Sequence, residues 1–578
     1  MLSDETIMPS TESRTFRRSG AGDGESGFVL VWFALLLTIF IAMAGLGVDV
    51  WNWWQTAQQV QRAADAGATA GVTFLPSDFA SARSTAFDLV ERNGYDSANT
   101  TVQLGDAPSK LKVTVTHETD NFFTHFFGVD TTVITRSATA EFTGPTPIGS
   151  PINHLGNQPI GDGDALWPSG VTDSVSANPQ VWLQIAGPGN NKNNGDRFTS
   201  NQCAQPGNGP GGVWECPASG NNQEYSADGY YFIARIEAEA GDLGKDVAIE
   251  VYDPAFVQTG DNCTDFLGAD RGALAALGAR YDSNTPANNR TFCTGDHRIN
   301  SVTYGAGFPT TTFTTFRPDA TPWQVGDNVP VNQVGCNSAE GVGTFRPYGT
   351  RAGETAATLP AQVALPGSYA NQVFHRWVQI CRVSLASLGV TAPGQYDIPI
   401  QVEAGAGSGH NRFAMRSALI NASNVVDGTR TSVFAFQHLP LYQNAEAADS
   451  RFYLARVLPS GQNRLLAIQM FDVGDGSGSG SITIVPPGSN TFTGCTGQRL
   501  PATLDLTFVN GCTLNNVNSA NYQAQRIAIN VPIPSSYTCD VSDPLDCWVQ
   551  VRFNWSAGVQ DTTTWSAGIL GDPVRLIE

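Results

Sequence analysis

A long apolar stretch near the N-terminus is the feature that most restricts how this chain can fold. Residues 27–48 read GFVLVWFALLLTIFIAMAGLGV, and the first charge after them is Asp49. At about 1.5 Å per residue, a helix of this length crosses a hydrocarbon core of about 30 Å. A secretory signal peptide usually has a shorter apolar region of about 7–15 residues and a small-residue cleavage site. Because this stretch is longer and continues into helix-forming sequence, we expect a permanent transmembrane helix rather than a cleaved signal.

The charges on either side of the apolar stretch predict its orientation. Residues 1–26 form a polar tail with positive residues close to the stretch, whereas residues 49–61 carry no positive charge. The tail arginines are Arg14, Arg17 and Arg18. Because positive residues are retained on the cytoplasmic side, we expect a single-pass membrane protein with a cytoplasmic tail and an extracytoplasmic bulk. A tryptophan cluster after the stretch fits an aromatic belt at the outer membrane surface: Trp51, Trp53 and Trp54.

The segments around the apolar stretch resemble a known family when they are taken in order. The stretch ends in GLGVD at residues 45–49 and continues into VQRAADAGATAG at residues 60–71. A second helix-like segment follows at residues 80–95, and residues 111–140 read as a strand, a short aromatic helical turn and a closing strand. Over about residues 24–143, this order is similar to the N-terminal module of the TadE/TadG-like Flp pilus-assembly proteins.

The resemblance implies both an architecture and a function. It implies a transmembrane helix with its extension over residues 27–71 and a small membrane-proximal α+β domain over residues 72–143. It also implies a membrane-anchored structural or assembly component of a Flp-type (tight adherence) pilus or a related secretion apparatus. Its partners would be the membrane and other pilus-assembly or secretion proteins.

Small residues recur on one face of the helical extension. Ala63, Gly67 and Gly71 are spaced four apart, so another helix could approach this face closely. We predict that it is a helix-docking face. The docked helix could belong to a partner protein or to this chain's own second helix, predicted at residues 77–94, and the second alternative is favoured.

Composition describes the remainder of the chain. It has 60 glycines and 33 prolines among 578 residues and is only 15% charged, which favours short strands separated by turns. The formal net charge of −20 opposes binding to nucleic acid. Residues 144–164 are rich in proline and glycine and are predicted to be a linker.

An internal repeat follows the predicted linker. The segment 232–236 recurs at 453–457, 248–253 recurs at 467–472, 293–295 recurs at 495–497, and 377–380 recurs at 548–551. We therefore expect two repeated β-sandwich, jelly-roll-like domains, at residues 165–425 and 426–578. The predicted fold class is mainly β, with an N-terminal transmembrane helix and a small α+β domain.

All ten cysteines lie after residue 200, in the part predicted to be exported. An even number in such a segment indicates disulfides rather than a zinc site, for which the spacing is unsuitable. We predict bonds between sequence neighbours, although spacing alone does not determine connectivity. The pairs are Cys203 with Cys216, Cys263 with Cys293, Cys336 with Cys381, Cys495 with Cys512, and Cys539 with Cys547.

One motif suggests a metal site. Residues 475–479 spell D-x-S-x-S directly after the apolar strand 465–471, where a von Willebrand A domain would bind its metal. That domain needs a helix next, whereas residues 481–485 read as a strand, so we favour a flexible hairpin and predict no metal ligands. Calcium stays open as the only cofactor considered, with five aspartates as candidate ligands, although solvated turns are favoured: Asp162, Asp164, Asp253, Asp472 and Asp475.

No residue pattern nominates a catalytic set. The seven histidines are scattered, and the sequence contains no H-E-x-x-H, G-x-S-x-G or phosphate-binding loop. We therefore expect a protein that is not an enzyme. The alternative to a pilus or secretion component is a surface protein that binds glycan, cell wall or a host surface and uses the N-terminal module only as an anchor. Loop aromatics would then be its contacts, although most are expected to be core: Trp167, Trp214, Trp323 and Trp565.

Overall fold

A computed structural model of the protein describes residues 26–75, 79–106, 109–142, 144–156, 181–203, 215–216, 220–253, 309–319, 321–333, 335–336, 344–345, 377–407, 409–445, 448–475, 478–555, 559–571 and 574–577. The chain divides into two compact units. Unit 1 comprises Met1–Val72, Ser81–Glu141 and Leu576–Glu578, and unit 2 comprises Thr73–Ala80 and Phe142–Arg575. An N-terminal apolar helix followed mainly by antiparallel sheets confirms the predicted fold class.

The N-terminal helix, α1, runs without interruption over Ser26–Gly71. No proline interrupts it, and its apolar first half gives way to Ala- and Gln-rich sequence that also favours helix. Between residues 28 and 48 almost every large apolar side chain is exposed, and the only hydroxyl there, on Thr38, donates to the Ala34 carbonyl. This part of α1 is long and apolar enough to cross a membrane once.

The rest of unit 1 is a small α+β fold packed on the second half of α1. Helix α2 spans Phe79–Arg92, and the sheet has the order β1-β2-β3-β26, with strands Thr100–Leu104, Lys110–Asp120, Thr131–Phe142 and Val574–Leu576. Strand β2 alternates as predicted, with Leu111, Val113 and Val115 fully buried. A 3-10 helix, Thr124–Phe127, lies between β2 and β3 where a helical turn was predicted.

Unit 2 is built from antiparallel strands. Its first half contains β4 (His154–Leu155), β5 (Val181–Ala186), β6 (Tyr230–Ala238), β7 (Asp246–Tyr252), β8 (Thr311–Thr315), β9 (Thr344–Phe345), β10 (Trp377–Ser384), β11 (Gly394–Ala404), β12 (His410–Ile420), β13 (Val426–Asp427) and β14 (Thr431–Ala435). Its second half contains β15 (Leu439–Ala445), β16 (Ala448–Arg456), β17 (Leu465–Phe471), β18 (Gly480–Val485), β19 (Thr496–Leu500), β20 (Leu504–Asp505), β21 (Phe508–Val509), β22 (Thr513–Val517), α3 (Ser519–Tyr522), β23 (Arg526–Pro532), β24 (Trp548–Trp555) and β25 (Val559–Leu570).

The two halves of unit 2 repeat one strand order. The large sheet reads β5-β12-β7-β10 outward from its centre on one side and β15-β25-β17-β23 on the other. The smaller sheets read β6-β11-β8-β9 and β16-β24-β18-β22. Strands β5 and β15 pair antiparallel at the centre, with Leu183 opposite Leu441. Because the sheet continues across this pair, the predicted domains 165–425 and 426–578 lie in one compact unit.

One of the predicted repeat correspondences is wrong. The segments 232–236 and 453–457 fall in β6 and β16, and 248–253 and 467–472 begin in β7 and β17, which hold equivalent places. Strand β10, however, pairs with β7, whereas β24 pairs with β16. Trp377 and Trp548 are therefore not equivalent. Alternating apolar residues suit any half-buried strand, so a four-residue match does not fix its position in a sheet.

The predicted linker at residues 144–164 differs from a free linker in its described part, residues 144–156. Ile148 is fully buried. It exchanges backbone hydrogen bonds of 2.7 Å with Ala435, and the Gly149 amide donates to the Leu454 carbonyl at 3.0 Å. Strand β4 then pairs with β12. This segment is held in place because it contains apolar residues between its prolines, and unit 2 buries these apolar residues between its two halves.

Four of the predicted disulfides are formed. Cys203 bonds Cys216, Cys336 bonds Cys381, Cys495 bonds Cys512 and Cys539 bonds Cys547, with Cα–Cα distances between 4.2 and 5.5 Å. Cys263 and Cys293 lie outside the described residues, and their bond stays a prediction.

Candidate functional site

Unit 1 joins its long helix to one loop of its sheet at what we call the membrane-exit junction. The junction consists of residues 45–53 of α1 and residues 121–124, which connect β2 to the 3-10 helix. It lies where the apolar part of α1 ends. Its contacts determine how the folded part of unit 1 sits on the anchor helix.

Asp49 is the centre of the junction, and its side chain is fully buried. One carboxylate oxygen accepts hydrogen bonds from the amides of Phe122 at 2.8 Å and Phe123 at 3.0 Å. The other accepts from Phe123 at 3.0 Å and Thr124 at 2.6 Å. Charge-assisted hydrogen bonds from three successive amides stabilise a carboxylate that would otherwise be costly to bury. The sequence identified Asp49 only as the end of the apolar stretch.

Three further hydrogen bonds hold the same loop and the end of β2. The Trp53 indole donates to Asn121 Oδ1 at 2.7 Å, and the Asn121 side-chain amide donates to the Val129 carbonyl at 3.0 Å. Asn52 donates to the Asp120 carbonyl at 3.3 Å. Trp53, predicted as part of an aromatic belt, is thus partly buried in the junction, whereas Trp51 and Trp54 are exposed.

Gly45 lets the loop lie directly against the helix. A Cβ atom at this position would fall 2.1 Å from Cδ2 of Phe123, so any side chain larger than hydrogen would displace the aromatic ring. Gly45, Asp49 and Trp53 are spaced four apart and therefore share one face of α1. Together they bind the loop through packing, charge and a neutral hydrogen bond.

The small-residue face predicted for helix docking is covered by this chain. Ala63 and Gly67 are buried. A Cβ on Gly67 would lie 2.9 Å from Cγ2 of Val90, and one on Gly71 would lie 2.5 Å from the Ala82 carbonyl oxygen. Val90 and Ala82 belong to α2. The face therefore packs against the chain's own second helix, so a partner helix could not reach it without displacing α2.

The motif considered for metal binding lies beside an acidic cluster. Asp475 is half-buried, and residues 476–477 are outside the described residues. Asp472 and Asp561 are buried; the Ala524 amide donates to Asp472, and the Gly474 amide donates to Asp561 at 2.7 Å. Burial and mutual repulsion raise the pKa of Asp472 and of Asp561 well above the usual range, and burial raises the pKa of Asp475 to about 6.

The geometry around this motif favours the hairpin interpretation. Strand β18 follows the motif, as expected, where a von Willebrand A domain would have a helix. Among the described residues, no group of three or more His, Cys, Asp or Glu is arranged to hold a metal ion. Of the other calcium candidates, Asp253 is buried, and Asp162 and Asp164 lie outside the described residues. Binding of calcium stays an untested hypothesis.

The loop aromatics considered as ligand contacts divide between core and surface. Trp565 is buried and packs against Phe452, with ring centroids 5.2 Å apart. Trp323 is partly buried against Phe436. Trp167 and Trp214 lie outside the described residues.

Replacing Gly67 by leucine tests whether α2 fills the small-residue face. Because the site has no room for a side chain, we expect overpacking to cost about 1–3 kcal/mol. In this variant, limited proteolysis should cleave α2 at a lower temperature than in the wild type. Gly47→Leu is the matched control on the same helix, because a Cβ there meets nothing within 4 Å. Equal protease resistance in the two variants would contradict the packing described above.

The acidic cluster predicts a pH-dependent stability. Asp475 holds its proton to about pH 6 in the folded state, above the ordinary value, so its contribution to stability is lost as pH rises from about 4 through 6. At pH 8, Asp475→Asn should raise the free energy of unfolding by up to about 3 kcal/mol, given about 1.4 kcal/mol per pH unit. At pH 4 the difference should vanish.

Denaturant unfolding at both pH values measures this effect. Asp505→Asn is the control, because Asp505 is exposed and lies outside the acidic cluster. Stabilisation of the wild type by millimolar calcium at pH 8, lost in Asp475→Asn, would instead identify the cluster as a cation site.

Comparison with known proteins matches the N-terminal part of the chain. A family model described as TadE-like protein matches residues 27–69. Neither the curated proteins nor the solved structures contain a match to the chain. The matched residues are α1 up to its last turn and include the helix side of the membrane-exit junction. Residues 27–69 of this chain are thus similar to TadE-like proteins, and the similarity is limited to this segment.

Proposed function

We propose that this protein is a structural or assembly component of a Flp-type (tight adherence) pilus or a related secretion apparatus. In this proposal α1 anchors the chain in the membrane, residues 1–26 are cytoplasmic, and unit 2 is exported. The protein acts by binding and anchorage and carries out no catalytic step.

The observation that carries the proposal is the coincidence of the TadE-like match with α1. Residues 27–69 include both the exposed apolar half of the helix and the half that packs in unit 1. A simple tether would need only the apolar half. The match therefore extends over the part of α1 that positions a folded unit at the membrane surface.

The exported location of unit 2 is supported by charge and by cysteine chemistry. The arginines of the tail precede α1, which favours a cytoplasmic tail. Four disulfides lie in unit 2, and such bonds persist in oxidising compartments outside the cytoplasm.

The surface through which assembly partners bind is proposed to be the exposed apolar half of α1. The face formed by Ala63, Gly67 and Gly71 is already covered by α2. Side chains between residues 28 and 48, in contrast, contact no other described part of the chain closely enough to be buried. In the membrane this surface is accessible to helices of other proteins as well as to lipid.

A second candidate function is binding of glycan, cell wall or a host surface by unit 2. A small surface depression of about 40 Å³ is lined by Tyr231, Trp323, Phe436 and His438, among others. Aromatic rings offer flat apolar faces with polar edges, which suits sugar rings. In this alternative the TadE-like segment would serve as a tether.

Cysteine labelling tests the proposed orientation. Ser84 lies exposed on α2, so Ser84→Cys should react with a membrane-impermeant maleimide in cells whose outer barrier has been permeabilised. Ser10→Cys, in the tail, should react only after the inner membrane is disrupted. The opposite labelling pattern would exclude an exported unit 2.

A segment exchange tests the assembly role. Residues 28–44 are replaced by an unrelated Leu/Ala segment of equal length, which leaves Gly45, Asp49 and the α2-packed face intact. We expect membrane insertion and Ser84→Cys labelling to be unchanged, while co-purification with neighbouring pilus-assembly proteins and pilus formation are lost. Normal pilus formation in this variant would favour the second candidate function, in which the TadE-like segment is only a tether. In that case Trp323→Ala should reduce binding of unit 2 to its surface ligand.

A further inference from the structure

The loop held by Asp49 exposes an unusual concentration of aromatic side chains. We call residues 121–130 the aromatic loop. Phe122, Phe126 and Phe127 have 64%, 80% and 72% of their surface exposed, and Val129 is half exposed. Single exposed apolar residues are common on proteins, but a contiguous apolar group marks a surface that contacts a membrane or another protein.

The aromatic loop is continuous with the apolar surface of α1. Phe123 packs on Gly45, and the rings of Phe126 and Phe127 lie 6.2 and 5.9 Å from that of Phe123. Asp49 fixes the loop backbone from the same face of the helix. Phe126 and Phe127 are therefore linked through Phe123 to the end of the apolar span.

The position of Gly45 along the helix places the loop at the outer edge of the hydrocarbon core. From Phe28 to Gly45, α1 rises about 26 Å at about 1.5 Å per residue, and the hydrocarbon core is about 30 Å thick. A membrane that begins at Phe28 thus ends near Asp49. Exposed Trp51 and Trp54 follow within two turns, where the headgroup region would lie.

From this geometry we propose that the aromatic loop inserts Phe122, Phe126 and Phe127 into the outer leaflet of the membrane that α1 spans, at the boundary between acyl chains and headgroups. The loop is thereby a second membrane contact beside the helix. The occupant of this apolar surface is lipid, and the contact fixes how unit 1 is oriented on the bilayer.

The charges near the aromatic loop determine which lipid it would favour. His125 pairs with Asp130 at 2.7 Å on the exposed side of the loop, and Asp120 and Glu118 lie at its base in β2. The loop lacks lysine and arginine. Acidic neighbours do not attract anionic headgroups, so the contact should be apolar, insensitive to salt and formed with zwitterionic phospholipid.

Photo-crosslinking from the loop distinguishes lipid from protein as its neighbour. Benzoylphenylalanine replaces Phe126, or Phe127 in a second variant, in the full chain in native membranes and in phosphatidylcholine vesicles. Both positions are exposed, so the fold should tolerate the larger ring. Leu104 is the control: it is exposed and apolar, and it lies opposite Leu111, which packs near Gly71 at the far end of α1.

We expect phospholipid adducts from positions 126 and 127 at least fivefold above those from position 104, at both 50 mM and 500 mM salt. Lipid adducts no more frequent than at Leu104, or adducts mainly to another protein, would overturn the proposal. The inference rests on the proposed topology, in which α1 spans the membrane with residues 1–26 in the cytoplasm, and not on the pilus role. A segment exchange that abolished pilus formation but kept the lipid adducts would separate the two.

Discussion

A buried carboxylate at the end of a membrane-spanning helix needs hydrogen-bond donors. In unit 1 a loop of the sheet provides them, and the packing of the unit on α1 depends on this interaction. Asp49 follows an uncharged stretch and is buried. Three consecutive loop amides satisfy it. This interaction joins the anchor to residues more than 70 positions later in the chain. It also positions the end of β2 and the start of β3 beside α1, since the loop connects these two strands.

The β-rich unit 2 depends on a different constraint, which is the continuity of its large sheet. Strands β5 and β15 close what would otherwise be two exposed sheet edges, which are prone to pair with other chains. Ile148 strengthens the same region, because its backbone bridges Ala435 in one half and Ala455 in the other. The two halves are therefore coupled through main-chain hydrogen bonds as well as through side-chain packing.

Local sequence patterns predicted several helices, strands and disulfides of this protein correctly. Contacts between residues distant in the sequence could not be predicted from these patterns. The apolar span, α2 and the alternation in β2 each depend on neighbouring residues, so periodicity was enough. The four described disulfides join cysteines 8 to 45 positions apart, and pairing each cysteine with its neighbour along the sequence was enough to predict them. The pairing of Asp49 with residues 122–124, in contrast, requires knowing where the loop returns. The match of Trp377 to Trp548 failed for the related reason that similar strands can occupy different places in a sheet.

The edge strand β26 has a consequence for the order in which the units form. It pairs beside β3 in unit 1, where the Ile577 amide donates to the Thr139 carbonyl, yet it is synthesised only after all of unit 2. During translation the β3 edge therefore stays open while the much larger unit 2 is made. The sheet of unit 1 is completed only after unit 2 has been synthesised, so unit 1 cannot finish folding before the intervening residues 143–573 have been made.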